Sequence, residues 1–356
     1  MSSEVRKLLA AIEALPLGET RLMEVCGTHT MAIAKSGIKS MLPEKVKLLS
    51  GPGCPVCVTP PQVIDAVLEL AMRPEITIAT YGDMVRVPGS RPGDSLQRRR
   101  ALGAKLLVVY SPVDAVEYAK DNPDREVVFL GVGFETTAPG TAAAVLTAKE
   151  ENVKNFSVLS MLKTVEPALR ALMKTEDFQV QGFLCPGHVG TIIGEKGFAF
   201  LPEEYRMPAV IAGFEPEDIL LSIYLLLRQI AVGRPRVENQ YKRAVSPTGN
   251  VLAQNMIRRC LEPRAELWRG LGRIENSGLG FQAEFSDFDA EKKFSIQYGE
   301  EKAQSACRCG DVICGRISPA RCPMFGKRCT PEDPVGPCMV SSEGACAAAY
   351  KYQSVE

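Results

Sequence analysis

Two cysteines lie in the segment 49–58, where a strand-like apolar run breaks at Gly-Pro-Gly and a helix-like pattern follows. Cys54 and Cys57 have C-x-x-C spacing. A strand, a glycine-rich turn and a helix place reactive groups at the carboxyl edge of an open sheet. A thiol close to a helix start ionises more readily, because the helix dipole stabilises the thiolate. The segment therefore predicts a redox-active or metal-binding pair of thiols.

A second candidate is Cys26, which ends a short extended segment just before a helix predicted to begin near Thr28. His29 would lie on the first turn of that helix. A thiol beside an imidazole base is a known activation pair. The alternative, a buried cysteine and a histidine satisfied in the core, stays equally open, since free cysteine is among the most buried residue types.

Seven of the twelve cysteines are concentrated near the end of the sequence, with the spacing C-x-C-x4-C-x7-C-x6-C-x8-C-x7-C. The region has few core-forming residues and needs a cross-link to order it. Structural zinc favours paired C-x-x-C knuckles, which this tail lacks, whereas a [4Fe–4S] cluster tolerates irregular spacing. The spacing favours iron–sulfur over zinc and leaves cysteines for a redox dithiol. The seven are Cys307, Cys309, Cys314, Cys322, Cys329, Cys338 and Cys346.

The overall composition restricts the classes of function. The 356 residues are 46% apolar, and 42 basic residues balance 42 acidic ones, so nucleic acid is not expected as a partner. The most apolar run, 219–227, is shorter than the roughly 20 residues of a membrane span. The sequence begins without an apolar signal region, so a cytoplasmic location is expected. In a reducing compartment clustered cysteines indicate metal binding or redox work.

Short apolar runs alternate with helical patterns between residues 46 and 232, which predicts βαβ units and parallel sheets. We expect two small α/β domains joined near residues 121–124. Beyond them we expect helices at 250–262 and 264–271 and an irregular segment at 281–300. The predicted strands are 47–50, 76–80, 106–110, 127–132, 157–161, 182–184 and 209–212, and the predicted helices are 4–15, 62–72, 95–102, 113–120, 141–149, 166–173 and 216–232.

Loops after two of these strands are further site candidates. Gly131 and Gly133 match the start of a dinucleotide fingerprint, but Thr136 stands where its third glycine belongs, so NAD or FAD is not expected. Glu135 and Thr136 follow one strand, and His188 follows another. A helix cap for Thr136 and Thr137 and a hydrogen-bonded loop position for His188 are the favoured interpretations.

The segments 26–30, 51–57, 133–137 and 186–188, followed by the cysteine tail, together resemble the HypD family of hydrogenase formation proteins. The resemblance spans nearly the whole chain. It implies a [NiFe]-hydrogenase maturation factor that serves, with the chaperone HypC, as the scaffold on which the Fe(CN)2CO group is assembled. Cyanide would come from a thiocyanate presented by HypE. HypC would connect this protein with the hydrogenase large subunit. A monomer that forms heterocomplexes is expected.

The resemblance also implies roles for single residues. It maps an iron site onto Cys26, Cys54 and Cys57, with His29 alongside. It implies two α/β domains (23–122 and 123–234) and a third, mostly helical or irregular iron–sulfur domain built from the chain ends, in which a helix from residues 1–22 packs with residues 235–356. The implied cluster ligands are Cys307, Cys314, Cys322 and Cys329, and the implied dithiol is Cys309 with Cys338.

Release of cyanide from a thiocyanate needs a two-electron reduction or attack by a low-pKa thiolate, and a C-x-x-C pair can supply either. One alternative function is a thiol–disulfide oxidoreductase whose C-x-x-C site is fed by the cluster. Another is a binding scaffold with a zinc staple in its tail.

Overall fold

The computed structural model describes residues 3–300 and 306–352, which form two parallel β-sheets, an antiparallel hairpin and surrounding helices. The strands are β1 Thr20–Glu24, β2 Val46–Ser50, β3 Ile76–Thr80, β4 Lys105–Val108, β5 Glu126–Gly133, β6 Phe156–Leu162, β7 Gly182–Pro186, β8 Ala209–Ala212, β9 Val237–Asn239, β10 Leu261–Trp268 and β11 Gly272–Phe281.

Helices cover the sheets and build the cysteine-rich tail. They are α1 Ser3–Glu13, α2 Gly27–Lys35, α3 Ile38–Met41, α4 Pro55–Val58, α5 Pro61–Leu70, α6 Leu96–Ala101, α7 Pro112–Asp121, α8 Ala138–Glu150, α9 Val165–Met173, α10 Gly187–Ile193, α11 Phe200–Tyr205, α12 Pro216–Val232, α13 Val251–Cys260, α14 Ala290–Lys293, α15 Cys309–Ile313, α16 Pro337–Val340 and α17 Ala345–Tyr352. Within the described ranges, none of them is long and apolar enough to cross a membrane.

The two sheets confirm the predicted α/β class with parallel strands. One sheet has the strand order β2-β1-β7-β8-β9 and the other β4-β3-β5-β6. Strands β5 and β6 are buried along nearly their whole length, which explains their continuous apolar sequence.

The strands divide between the sheets differently from the predicted split at residue 122. Strand β5 follows that position yet pairs with β3, which precedes it. Strand β1 pairs with β7, so residues 182–239 return to complete the first sheet. Local sequence patterns identify a strand, but the neighbour it pairs with is decided by tertiary packing, which is why the linear boundary is wrong.

Helix α1 also lies elsewhere than predicted. Its buried Val5 and Ile12 share a core with Ile219 and Ile223 of α12, against the five-stranded sheet, instead of joining the C-terminal domain. An amphipathic helix buries its apolar face against whichever apolar surface is nearest in the fold.

The predicted helix 264–271 is wrong, because residues 261–268 form strand β10, paired with β11. Alanine, glutamate and leucine favour a helix locally, but this propensity is weak and tertiary pairing overrides it. The buried Trp268 indole donates to Ser277 Oγ at 2.8 Å across the hairpin. Its partner strand β11 begins in a stretch that sequence analysis left unassigned and ends at the edge of the predicted irregular segment.

Replacing Ile12 with alanine tests whether α1 belongs to the cooperative core. Ile12 is fully buried, so we expect the free energy of unfolding to fall by about 2–5 kcal/mol in urea titrations. Leu102→Ala is the control: this side chain is 65% exposed, and its loss should change stability by no more than about 0.5 kcal/mol. Equal effects of the two substitutions would exclude α1 from that core.

Candidate thiol centre

The parallel pairing of β1 with β2 brings the first three cysteines to one sheet edge. Glu24 lies opposite Ser50 in the register, so the segments that follow both strands leave the sheet side by side. The Gly27 N–H donates to the Gly53 carbonyl at 3.1 Å. A Cβ on Gly53 would lie 2.2 Å from the Cys26 nitrogen. Only glycine at position 53 permits this contact between the two cysteine segments.

Cys54 and Cys57 form a disulfide with their Cα atoms 5.2 Å apart. Cys54 caps the short helix α4, and its sulfur accepts the Cys57 N–H at 3.1 Å. The same sulfur lies 3.4 Å from Ser341 Oγ, which belongs to the tail. The exposed fractions are 5% for Cys54 and 0% for Cys57, so the bond is shielded from solvent.

Cys26 occupies the N-cap position of α2 and is buried. Burial, together with the nearby carboxylate of Glu343, raises the pKa of its thiol to about 11. Backbone N–H groups of Thr28 and His29 act in the opposite direction and lower that pKa. The protein without a metal therefore holds Cys26 as a thiol at neutral pH.

Glu343 is a site residue that sequence analysis did not single out. Thr28 Oγ1 donates to its carboxylate at 2.6 Å, and a Cβ on Gly27 would lie 2.4 Å from Glu343 Cβ. Burial and the charge of Asp83 raise the pKa of Glu343. The residue is separated from Cys26 by more than 300 positions, so no local pattern could have revealed it. Its position between Cys338 and Cys346 was the available hint.

The His29 ring is buried and does not bond to the Cys26 thiol. Its Nε2 lies 2.9 Å from the Gly213 carbonyl oxygen, and its ring stacks on Phe214. Burial lowers the pKa of His29 to about 4, so the imidazole is neutral. Nδ1 is buried and has no partner among the described residues. His188, exposed, stacks on Phe214 with ring centroids 4.0 Å apart.

Glu135 and Thr136 follow β5, which belongs to the four-stranded sheet. Glu135 is buried, and one of its oxygens accepts the Val165 N–H at 2.9 Å. The other oxygen has no partner among the described residues. Burial raises the pKa of Glu135 to about 7. Thr136 is exposed. Strand β5 contacts the disulfide helix α4.

The predicted dithiol lies next to that helix. Cys309 is in α15 and Cys338 in α16, and both short helices pack against α4. Interaction between the two thiols lowers the pKa of Cys309 and raises that of Cys338. Cys346, to which the resemblance gave no role, also raises the pKa of Cys338. The disulfide and the dithiol thus occupy neighbouring helices.

The turn between β10 and β11 contacts both the disulfide helix α4 and the Cys309 helix α15. Arg269 donates its backbone N–H to the Val58 carbonyl at 2.8 Å and its guanidinium to the Thr59 carbonyl at 2.9 Å. A Cβ on Gly270, whose φ is +79°, would lie 2.7 Å from the Gly310 carbonyl oxygen. The turn therefore fits between the disulfide helix α4 and the Cys309 helix α15.

The four implied cluster ligands lie in the same tail. A Cβ on Gly336 would lie 2.6 Å from Cys307 Sγ, so glycine makes room for this thiol. Cys322 and Cys329 interact electrostatically, and Cys314 Sγ lies 3.7 Å from the Gly270 carbonyl oxygen. Within residues 3–300 and 306–352, no three Cys, His, Asp or Glu side chains converge as the ligands of one metal ion do. The all-thiol donors fit an iron–sulfur cluster in chemistry, while their present arrangement is not a closed ligand shell.

Glu135→Gln tests the buried carboxyl through pH. The pKa of Glu135 in the folded protein is about 7, above the ordinary 4.5. The contribution of Glu135 to the free energy of unfolding is therefore fully present below pH 4.5 and is lost as pH rises through 7. Glutamine mimics the protonated form and escapes this loss. The variant should match the wild type near pH 4.5 and exceed its unfolding free energy by up to about 3 kcal/mol at pH 8. The exposed Glu150→Gln is the control and should show no such gain. If the unfolding free energy of the variant does not exceed that of the wild type at pH 8, ionisation of Glu135 does not destabilise the folded protein.

Comparisons with known proteins agree on one family. The model of the HypD family, described as "Hydrogenase formation hypA family", matches residues 3–353. The chain is 46% identical over 355 residues to the hydrogenase maturation factor HypD of Azotobacter vinelandii, covering 98% of this chain and 93% of that protein. It is 45% identical to the HypD proteins of Rhodobacter capsulatus, with coverages of 98% and 94%, and Escherichia coli K12, with coverages of 94% and 90%. The chain belongs to the HypD family of hydrogenase maturation factors.

Proposed function

We propose that this protein is the scaffold on which the Fe(CN)2CO group of [NiFe]-hydrogenases is assembled, and that its thiols take cyanide from a thiocyanate. The observation that carries the proposal is the placement of two thiol pairs on adjoining helices, with Cys26 beside the first pair. Family membership supports a role in hydrogenase maturation.

Iron is the cargo in this proposal, held by Cys26 and, while their disulfide is reduced, by Cys54 and Cys57. Low-spin iron with cyanide and CO ligands favours soft thiolate donors. Thiols must lose their protons to bind a metal. Because burial raises the Cys26 pKa to about 11, iron must displace the thiol proton, and Glu343, whose charge acts on this thiol, would take it up.

The cyanide step uses the C-x-x-C pair in its reduced form. A thiolate of the pair attacks the sulfur of the thiocyanate, an S–S bond forms, and the S–C bond breaks with release of cyanide anion. The second cysteine then attacks the mixed disulfide and frees the partner's thiol. The products are cyanide, the partner thiol and the Cys54–Cys57 disulfide, which is the state of this pair in the structure.

A new cycle requires two electrons and two protons for that disulfide. Cys309 and Cys338 can supply them by thiol–disulfide exchange, which would leave these two residues oxidised. Their helices already contact α4, so the exchange needs only a local rearrangement. His29, neutral and buried, orients the start of α2 through Gly213.

We further propose a [4Fe–4S] cluster held by Cys307, Cys314, Cys322 and Cys329. When bound, such a cluster supplies single electrons to a nearby dithiol. The donors are thiols and three of the four are buried, which suits this group.

The proposed partners are HypC, which would share the iron at the Cys26 side, and HypE, which would present the thiocyanate; the hydrogenase large subunit would be reached through HypC. The burial of both disulfide sulfurs argues against a general thiol–disulfide oxidoreductase, which needs one sulfur open to its substrates. A partner-specific site opened on docking fits this burial better.

Serine substitution at Cys54 or Cys57 should abolish hydrogenase maturation in cells that lack their own copy, because neither the exchange nor the iron ligation survives. Maturation is read from the cyanide and CO infrared bands of the complex with HypC. Cys260→Ser is the matched control, since this buried cysteine belongs to a different core from Cys54 and Cys57. A Cys57→Ser protein that still matures hydrogenase would overturn the mechanism.

Iron and sulfide analysis of anaerobically purified protein tests the cluster. We expect about four irons and four sulfides per chain, with losses in Cys314→Ala and full content in Cys260→Ala. Cys260 is buried in a different core and serves as the control. Zinc in place of iron would exclude the cluster.

A further inference from the structure

A cavity of 610 Å³ lies beside Cys309 of the dithiol, and neither Cys54 nor Cys57 lines it. Its walls include the proline- and glycine-rich loop 88–93, and Cys309 lies in its lining. Cys338 does not line it. The volume is in the range of sites that bind small molecules. A molecule in this cavity would therefore contact Cys309 and not Cys338.

The cavity adjoins the region of the four implied cluster ligands, since Arg328 and Thr330, on either side of Cys329, line it. Only Cys307 of those four contributes to its lining. The remaining walls include tail residues between 324 and 337 and Arg269 of the hairpin turn.

The charge of the lining is predominantly positive. Arg269, Lys327 and Arg328 contribute to it, and Asp333 is the acidic residue among the described lining residues. Lys327 and Arg328 are exposed, and neither belongs to an ion pair among the described residues. Arg269 is held by Thr59, so its charge is fixed in place. Unpaired cations around a cleft attract anionic ligands.

We propose that this cavity binds a small anionic thiol, which reduces the Cys309–Cys338 pair after that pair has been oxidised. The inference rests on the proposed function, because it takes these two residues as a redox pair. It adds a two-electron reductant, with its chemical class and its point of entry, to the single electrons that the proposed cluster would supply.

The access of the two sulfurs sets the order of the steps. The anionic thiolate attacks Cys309 Sγ, an S–S bond forms to the ligand, and the Cys309–Cys338 bond breaks. Cys338 leaves as a thiolate and takes up a proton. A second thiolate of the same class attacks the ligand sulfur of the mixed disulfide and releases Cys309. Two thiols are consumed, one ligand disulfide forms, and the pair gains two electrons.

The first test compares iodoacetate with iodoacetamide, which differ mainly in charge, as alkylating agents of Cys309 in the anaerobic full-length holoprotein. Mass spectrometry of the Cys309 peptide gives both rate constants. Reversal of two charges in Lys327→Glu/Arg328→Glu should lower the iodoacetate-to-iodoacetamide ratio about tenfold. Arg321→Glu is the control, because Arg321 is an exposed cation of the tail that does not line the cavity, and it should leave the ratio unchanged.

The second test uses oxidised glutathione as an anionic probe of the same site. In Cys338→Ser the probe should form a mixed disulfide at Cys309, whereas in Cys309→Ser it should leave Cys338 unmodified. Reduced glutathione should reduce the oxidised wild-type pair about tenfold faster than 2-mercaptoethanol at equal thiolate concentration, and the double charge reversal should remove this preference.

A ratio that is insensitive to charge reversal, or equal rates with glutathione and 2-mercaptoethanol, would overturn the binding site while leaving the thiol mechanism intact. Failure of Cys309 and Cys338 to form any disulfide under oxidised glutathione would overturn the redox pair itself, and this inference with it.

Discussion

The close contact between Gly53 and Cys26 is the constraint on which the rest of the site depends. Parallel pairing sends two chain segments off the same sheet edge, but their cysteines come together only because position 53 carries no side chain. The disulfide helix, the cap of α2 and the tail residues that touch them are all arranged around this contact. The site is therefore a product of backbone geometry before any side chain takes part.

The tail turns that sheet edge into an enclosed centre. Ser341 reaches the Cys54 sulfur, Glu343 bonds to Thr28, and the helices of Cys309 and Cys338 pack on α4. Burial then governs the chemistry: it keeps Cys26 protonated, His29 neutral and Glu343 easier to protonate. Burial thus disfavours the charged form of each of these three groups.

Much of the fold could be predicted from sequence, because parallel strands are continuous apolar runs between helical patterns. Strands β3 and β8 have the predicted ends. The pairing of β5 with β3 could not be predicted, since it joins segments on either side of a local boundary. Strand β10 was predicted as a helix because its residues favour helices and its partner lies beyond a turn. The cysteines of the site were visible as patterns. Glu343 and the direction of the His29 ring were not, because they depend on contacts between residues that are far apart in the sequence.

The distance between these contacts along the chain has a consequence for biosynthesis. Ser341 and Cys54 are 287 positions apart, and Glu343 and Thr28 are 315 apart. Chains are made from the N-terminus, and domains begin to fold while synthesis continues. The five-stranded sheet is complete only after residues 182–239 have been made, and the thiol centre is enclosed only after the tail has been made. A ribosome-bound chain thus carries three early cysteines without their surroundings, and a complete thiol centre arises only near the end of translation.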